Sequence, residues 1–232
     1  MNWISRLFGR QPRLTPEQTA TLSTYLGTPD PDTSVPADRQ RLVVVDVETS
    51  GLDPLHDRLL AIGAVGVNQG VIRLEDSFEI VLRQEVSSNH ENILVHGIDG
   101  TTQRSGHEHP EALARFLAFA GKAPLVGFHS DFDRIAINRA MRPALGIVPA
   151  NAWIDLAAAA PLLFPAHARN ARALDDWTRI FGIENPARHS ALADALATAQ
   201  LLQVVLAQAA ESGGHRLCDL VAASTEQRWL AR

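Results

Sequence analysis

Residues 41–54, RLVVVDVETSGLDP, decide how this chain reads. Arg41 to Val47 is a nearly unbroken apolar run, the pattern of a central strand covered on both faces. It ends in two acids, Asp46 and Glu48. Side chains two residues apart on a strand point to the same face, so these carboxylates share a small volume. The residues that follow, Thr49 to Pro54, are turn-forming and place the pair at a sheet rim that a ligand can reach. Taken alone, the pair reads equally as solvated strand-end charges or as a functional site.

Leu59 to Val67 and Val71 to Leu82 are two further β-rich runs joined at Asn68-Gln69-Gly70, which predicts an antiparallel meander. Pro110 to Ala120 carries Leu113, Phe116, Leu117 and Ala120 on one helical face. A short strand at Pro124 to Phe128, a helix from Asp133 to Met141 and a fifth strand at Trp153-Ile154 follow. Helices are expected at Leu156 to Leu163, Ala171 to Phe181, Ala191 to Ala210 and Arg216 to Leu230. Strands first, then strands alternating with helices, predict an α/β fold: a mixed five-stranded sheet, antiparallel meander plus parallel strands, flanked by helices.

Residues 1–40 are rich in proline and read as an N-terminal helical extension and linker, 41–210 as the main domain, and 211–232 as a C-terminal tail. Thr15-Pro16-Glu17-Gln18 has the capping-box pattern of a helix reaching about Tyr25. Trp3, Ile4, Leu7 and Phe8 share a helical face beside arginines, which suits either folding back on the domain or anchoring to a partner or membrane surface.

Composition is ordinary for a globular chain, with 46% apolar and 20% charged residues, which excludes disordered and fibrous classes. Lys plus Arg number 21 against 26 Asp plus Glu, a formal net charge of -5. That is the wrong sign for coating nucleic acid, so such a partner would need bound cations or a local rim drawn from Arg134, Arg139, Arg142, Arg169, Arg172 and Arg188. A lone cysteine, Cys218, cannot close an intrachain disulfide. No run is read as a signal peptide or as the ~20 apolar residues of a membrane span, so a cytoplasmic location is expected.

Two more acidic sites join the first pair. From Ala191 to Ala210 the only ionisable residue is Asp194, set off the Leu192, Leu196, Ala199 seam of a helix expected to be buried. Complementing the helix dipole is the plain alternative for it. Five helical residues turn through about 140°, so His189 would not share its face and is placed on the entering loop. In His129-Ser130-Asp131-Phe132-Asp133, Asp133 suits the first turn of a helix and Asp131 its cap. His107-Glu108-His109 has a metal-like composition but lies in a polar loop. Converging carboxylates repel unless a cation neutralises them, and all-oxygen ligands favour Mg²⁺ or Mn²⁺. Two such ions serve phosphodiester cleavage, and a histidine supplies a general base. Replacing Asp194 by Asn is expected to abolish activity while relieving carboxylate repulsion.

VVDVETSGLDP, LVGFHSDFD and RHSALADALATA, in that order, resemble the three motifs of the DnaQ-like (DEDDh) 3′-5′ exonucleases, the family of the proofreading domain of DNA polymerase III. RLLAIGAV at Arg58 to Val65, His96-Gly97-Ile98 and Trp153-Ile154-Asp155 also match its habit, and the likeness runs from Arg41 to Leu206. It implies a ribonuclease H-like fold and release of nucleoside monophosphates from single-stranded 3′ ends. By motif position, Asp46, Glu48, Asp133 and Asp194 would hold two divalent ions, Mg²⁺ or Mn²⁺, and His189 would deprotonate the attacking water. Thr49, Gly51 and Leu52 would line the terminal-nucleotide pocket, with His96 and Phe132 as further substrate contacts. Phe128-His129 departs from the family's usual His-Asn. An exoribonuclease, or a non-catalytic replication or repair module docking through residues 1–40, are the alternatives.

Overall fold

The computed structural model describes residues 12–212 and 216–230. Helix α1 (Pro16–Gly27) precedes strands β1 (Arg41–Thr49), β2 (Leu59–Asn68) and β3 (Val71–Val81). Helices α2 (His90–His96), α3 (Gly100–Ser105) and α4 (His109–Ala120) lead to β4 (Leu125–Gly127) and α5 (Asp131–Leu145). Then come β5 (Trp153–Asp155), α6 (Leu156–Leu163), α7 (Leu174–Phe181), α8 (Ala191–Glu211) and α9 (Leu217–Leu230). The sheet order is β3-β2-β1-β4-β5, antiparallel across β1–β2 and β2–β3 and parallel across β1–β4 and β4–β5. This is the mixed five-stranded sheet that the sequence predicts.

Alternation along β1 divides the core. Val43, Val45 and Val47 face a cluster built with Phe116 and Leu117 of α4 and Ile137 and Met141 of α5. Leu42 and Val44 face a second cluster with Trp177 of α7 and Leu201, Leu202 and Val205 of α8. The sheet therefore lies between two helical layers. Asp46 and Glu48 continue the second face, toward α8. At 21 residues and a mean hydropathy of 1.3, α8 is long and apolar enough to cross a bilayer. That corrects the expectation that no run approaches that length; α8 packs against the sheet instead, as its buried Leu201, Leu202 and Val205 show.

The boundaries expected at residues 40 and 210 are not breaks in packing. Thr15 caps α1 through the expected capping box, and Leu22 and Tyr25 are buried in the first core. The Tyr25 hydroxyl donates to Asn151 Oδ1 at 2.9 Å. The tail places Leu217 and Leu220 in the second core and meets the leader where Leu217 N–H donates to the carbonyl of Val35 at 3.1 Å. The apolar face at Trp3 to Phe8 lies outside the described residues.

Helices α2 and α3 are additions to the sequence reading. They are too short and polar to show apolar periodicity, and their signal is the pair of caps, Asn89 and Asp99, each accepting a backbone N–H three residues on. Helix α5 begins earlier than expected, with Ser130 at the N-cap and Asp131 inside the first turn, where it pairs with Arg134 at 2.9 Å. It also runs past Pro143 to Gly146, whose φ of 75° closes it in the left-handed region.

Candidate active site

The site forms where β1 outruns its parallel neighbour. On the β4 side, Val43 N–H donates to the carbonyl of Pro124, and the pairing ends after Val44↔Val126. The amide of Val47, on that same edge, has no strand to meet. Asp133, in the first turn of α5, accepts it with Oδ1 at 3.2 Å and is itself only 5% exposed. A ligand site at the carboxyl ends of adjacent parallel strands, where the connections diverge, is the general rule for such sheets.

From the other layer, α8 brings Asp194, 3% exposed. One carboxylate oxygen each from Asp46, Glu48 and Asp194 lie within 4.8 Å of one another. Burial first, then the charges of Asp133, Asp194 and Glu48, push the Asp46 carboxyl well above the ordinary range. Burial and Asp194 raise Glu48 to about 8. Burial also raises Asp133, against the pull of the Val47 amide. Two or more anions confined in this way call for a cation, and an all-oxygen donor set of this spacing fits Mg²⁺ or Mn²⁺.

Asp194 already has three donors. Asn185 Nδ2 meets Oδ1, while Arg188 and the His189 backbone N–H meet Oδ2, the last at 3.0 Å. Its carboxylate thus fastens the loop before α8. His189 itself has a φ of 65°, in the left-handed region, and is exposed at the entry to α8. Asp155, the strand-five aspartate, caps α6 and accepts the His129 N–H at 2.9 Å, so it holds the β4–α5 turn. A cleft of about 460 Å³ opens beside Asp46, lined by Phe128, His129, Arg172, Leu174 and Arg188 among others.

The loop after β1 is braced from both sides. Thr49, buried, donates its hydroxyl to the carbonyl of Gly51 at 2.5 Å, and a Cβ on Gly51 would lie 2.4 Å from Asp57 Oδ2. Arg139 of α5 donates to the carbonyls of Pro54 and Asp57 at 2.7 and 2.9 Å. At its tip, Leu52 is 94% exposed. Two expected contacts are turned inward instead. His96 is buried, with Nδ1 accepting the Ile98 N–H at 2.9 Å and Nε2 against Asn92 Oδ1 at 2.8 Å, so neither ring nitrogen is left for a ligand. Phe132 is half-buried and packs on the first core. The residues of the loop motif also separate: His107 pairs with Glu111, and His109 with the carbonyl of Arg83.

Sequence reasoning missed Gly63, Asn185 and the second role of Arg188. Gly63 pairs with Asp46, and a Cβ there would lie 2.2 Å from the Ala191 carbonyl carbon. Its signal was a glycine inside an apolar strand, which marks close approach of another backbone.

A model of the RNase_T family, described as exonuclease, matches residues 43–202. DNA polymerase III of PolC type from Halalkalibacterium halodurans is 31% identical over 178 residues, 76% of this chain and 12% of that protein. The Bacillus subtilis counterpart is 30% identical over 177 residues, again 76% and 12%. The chain thus spans 12% of the length of these relatives. Among solved structures, E. coli exonuclease I in complex with a dT13 oligonucleotide superposes with a TM-score of 0.62 at 19% identity, covering 74% of this chain and 42% of that one. A zinc-bound form of that exonuclease with single-stranded DNA gives 0.61 at 20% identity, covering 73% and 41%.

Proposed function

Because the chain belongs to this exonuclease family of DnaQ-like fold, we propose that it is a metal-dependent 3′-5′ exonuclease releasing nucleoside monophosphates from single-stranded DNA ends. The observation that carries this is the trio Asp46, Glu48 and Asp194, with donor oxygens within 4.8 Å, where burial and neighbouring acids raise the Asp46 and Glu48 carboxyls above their ordinary range.

In this reading Asp46, Glu48 and Asp194 hold divalent ions, two in number, with Asp133 completing the second position directly or through water. Bound there, Mg²⁺ or Mn²⁺ supplies the charge that acidifies an attacking water and steadies the leaving oxygen. The His189 imidazole takes the proton from that water, free to do so because its backbone alone is fastened to Asp194. Leu52 packs against the terminal base, held out by a loop that Arg139 and Asp57 keep rigid. Arg172, at the cleft, faces the phosphate backbone. Exonuclease I binds single-stranded DNA in its solved complexes, which favours DNA as the polymer here. A reducing compartment such as the cytoplasm suits the lone cysteine. A protein partner, if residues 1–40 recruit one, would meet the outer side of α1, since Leu22 and Tyr25 are spent on the core.

The test is digestion of 3′-labelled and 5′-labelled single-stranded DNA and RNA, with Mg²⁺, Mn²⁺ or EDTA, beside Asp46→Ala. Stepwise, metal-dependent shortening of DNA from the 3′ end that is lost with Asp46 is expected. Preference for RNA would make it an exoribonuclease, and no cleavage with any metal would leave only a docking role.

A further inference from the structure

Arg188 stands inside the acidic site, bridging two carboxylates. Its NH1 lies 2.5 Å from Asp194 Oδ2 and its Nε 2.6 Å from Asp175 Oδ1. The inner partner is buried, with 4% of its side chain exposed, whereas the outer one, on α7, is 52% exposed. We propose that Arg188 is a built-in counter-ion of this site, which holds Asp194 while no divalent cation is bound and retreats onto Asp175 when one binds.

The inference rests on the metal reading above and follows from crowding of donors. A carboxylate offers about four lone-pair positions, and three donors already occupy Asp194. That leaves one position, on Oδ1, so a cation reaching Asp194 together with Asp46 and Glu48 shares the carboxylate with these donors and is opposed by any that is charged. The His189 N–H is fixed by the backbone entering α8. Asn185 is neutral, so it does not repel an arriving cation. Arg188 is the one donor that is both charged and supplied with a second anion to keep. Guanidinium and divalent ion repel in the same small volume, so each weakens the other's hold on Asp194. Because Arg188 lines the cleft beside Asp46, the retreating head stays at the mouth through which a phosphate would enter.

Two consequences follow. Without metal, Arg188 stabilises the fold by relieving repulsion among the acids. With metal, it opposes loading, which sets the affinity lower than the ligands alone would give. Arg188→Gln should therefore bind Mn²⁺ more tightly by roughly threefold, the scale of one partly exposed ion pair.

Mn²⁺ binding by the whole chain, read by electron paramagnetic resonance, tests this without any turnover. Arg172→Gln removes an equal charge from the same cleft but makes no bond to Asp194, so its effect should be clearly smaller. Asp175→Asn removes the outer partner and should weaken Mn²⁺ binding, yet change nothing when added to Arg188→Gln. Metal-free melting of Arg188→Gln should fall, and its gain on adding Mn²⁺ should exceed that of the unaltered chain. An unchanged or weaker Mn²⁺ affinity in Arg188→Gln, or an equal rise in Arg172→Gln, would overturn the counter-ion. If Arg188→Gln does not fold, unchanged binding by Asp175→Asn overturns it alone. Absence of Mn²⁺ binding from both the unaltered chain and Arg188→Gln would instead overturn the metal reading on which it rests.

Discussion

Gly63 touches Ala191: the strand glycine opposite Asp46 has its bare Cα where a Cβ would come within 2.2 Å of the Ala191 carbonyl carbon and 2.3 Å of Leu192 N. The first turn of α8 thus rests on the β2 backbone, and Asp194, three residues beyond Ala191, reaches across to the acids of β1. A methyl group at position 63 would meet backbone, which cannot rotate away. Gly63→Ala should cost about 1–3 kcal/mol of stability by overpacking and, by lifting α8, also weaken Mn²⁺ binding. Gly66→Ala is the comparison, because its Cβ meets the Asp76 side chain, which belongs to no metal ligand. It should lower the melting temperature and leave Mn²⁺ affinity alone; equal losses of affinity in both would dissociate Gly63 from the site.

Two isosteric changes at the acids should move stability in opposite directions. No donor among the described residues bonds the Asp46 carboxylate, and burial and three neighbouring acids disfavour its charge. Asp46→Asn should raise the metal-free melting temperature at pH 8. Asp194, by contrast, accepts Asn185, Arg188 and His189, so Asp194→Asn strips Arg188 of its inner partner. A loss of about 1.5–3 kcal/mol is expected there, the scale of a hydrogen bond to a charged group. This reverses the relief of repulsion that the sequence alone suggests for Asp194. Calorimetry of both variants beside activity checks it: both should be inactive, and melting shifts of the same sign would refute the assignment.

Stability of the metal-free protein should fall across neutral pH. Burial and Asp194 raise the Glu48 carboxyl from 4.5 to about 8. Between those values the folded chain keeps a proton that the unfolded chain has released, so this contribution is whole below about 4.5 and lost as pH rises through 8. Mn²⁺ competes with that proton, and its stabilisation should therefore be larger at pH 8 than at pH 5.5. At 100 times its dissociation constant it would add about 2.7 kcal/mol. Melting curves in EDTA and in Mn²⁺ would measure this, with Glu48→Gln flattening the metal-free decline. Parallel curves for that variant and the unaltered chain would remove Glu48 from the effect.

The sheet was legible because its signal is local. An apolar run ending in Asp46-Val47-Glu48 and a glycine turn at 70 dictate β1 to β3 with their facing, as found. Asp194 was legible as the one charge on a helix that is otherwise without ionisable groups until Glu211. What stayed hidden depends on which backbones approach in space. Whether His96 faces solvent or Asn92 is decided by the packing of α2 and α3, two helices with little apolar pattern. Arg188 reads as one more rim cation until the fold sets Asp175 of α7 and Asp194 of α8 on either side of it. The leader reads as a linker because five prolines punctuate it, whereas Leu22 and Tyr25 commit it to the first core and Ala37 to the second.

His189 and Leu52 are both exposed, and the proposed chemistry gives them separable effects. His189 fastens to Asp194 through its backbone N–H, which any residue supplies, so His189→Ala leaves that bond and the metal ligands in place. Removing the ring should lower kcat by roughly 10²–10⁴-fold, the usual contribution of a general base, with little change in KM or Mn²⁺ affinity. Leu52, 94% exposed at the tip of a braced loop, contributes almost no buried area to the fold, so Leu52→Ala should leave the melting temperature unaltered. If its side chain packs on the terminal base, the loss is one of binding, up to about 2 kcal/mol for the apolar carbons removed, and hence a higher KM at similar kcat. Steady-state kinetics on a short single-stranded oligonucleotide would separate the two. A KM effect for His189→Ala with kcat intact would move that ring from base to substrate contact, and wild-type KM for Leu52→Ala would leave its exposure unexplained by the nucleotide.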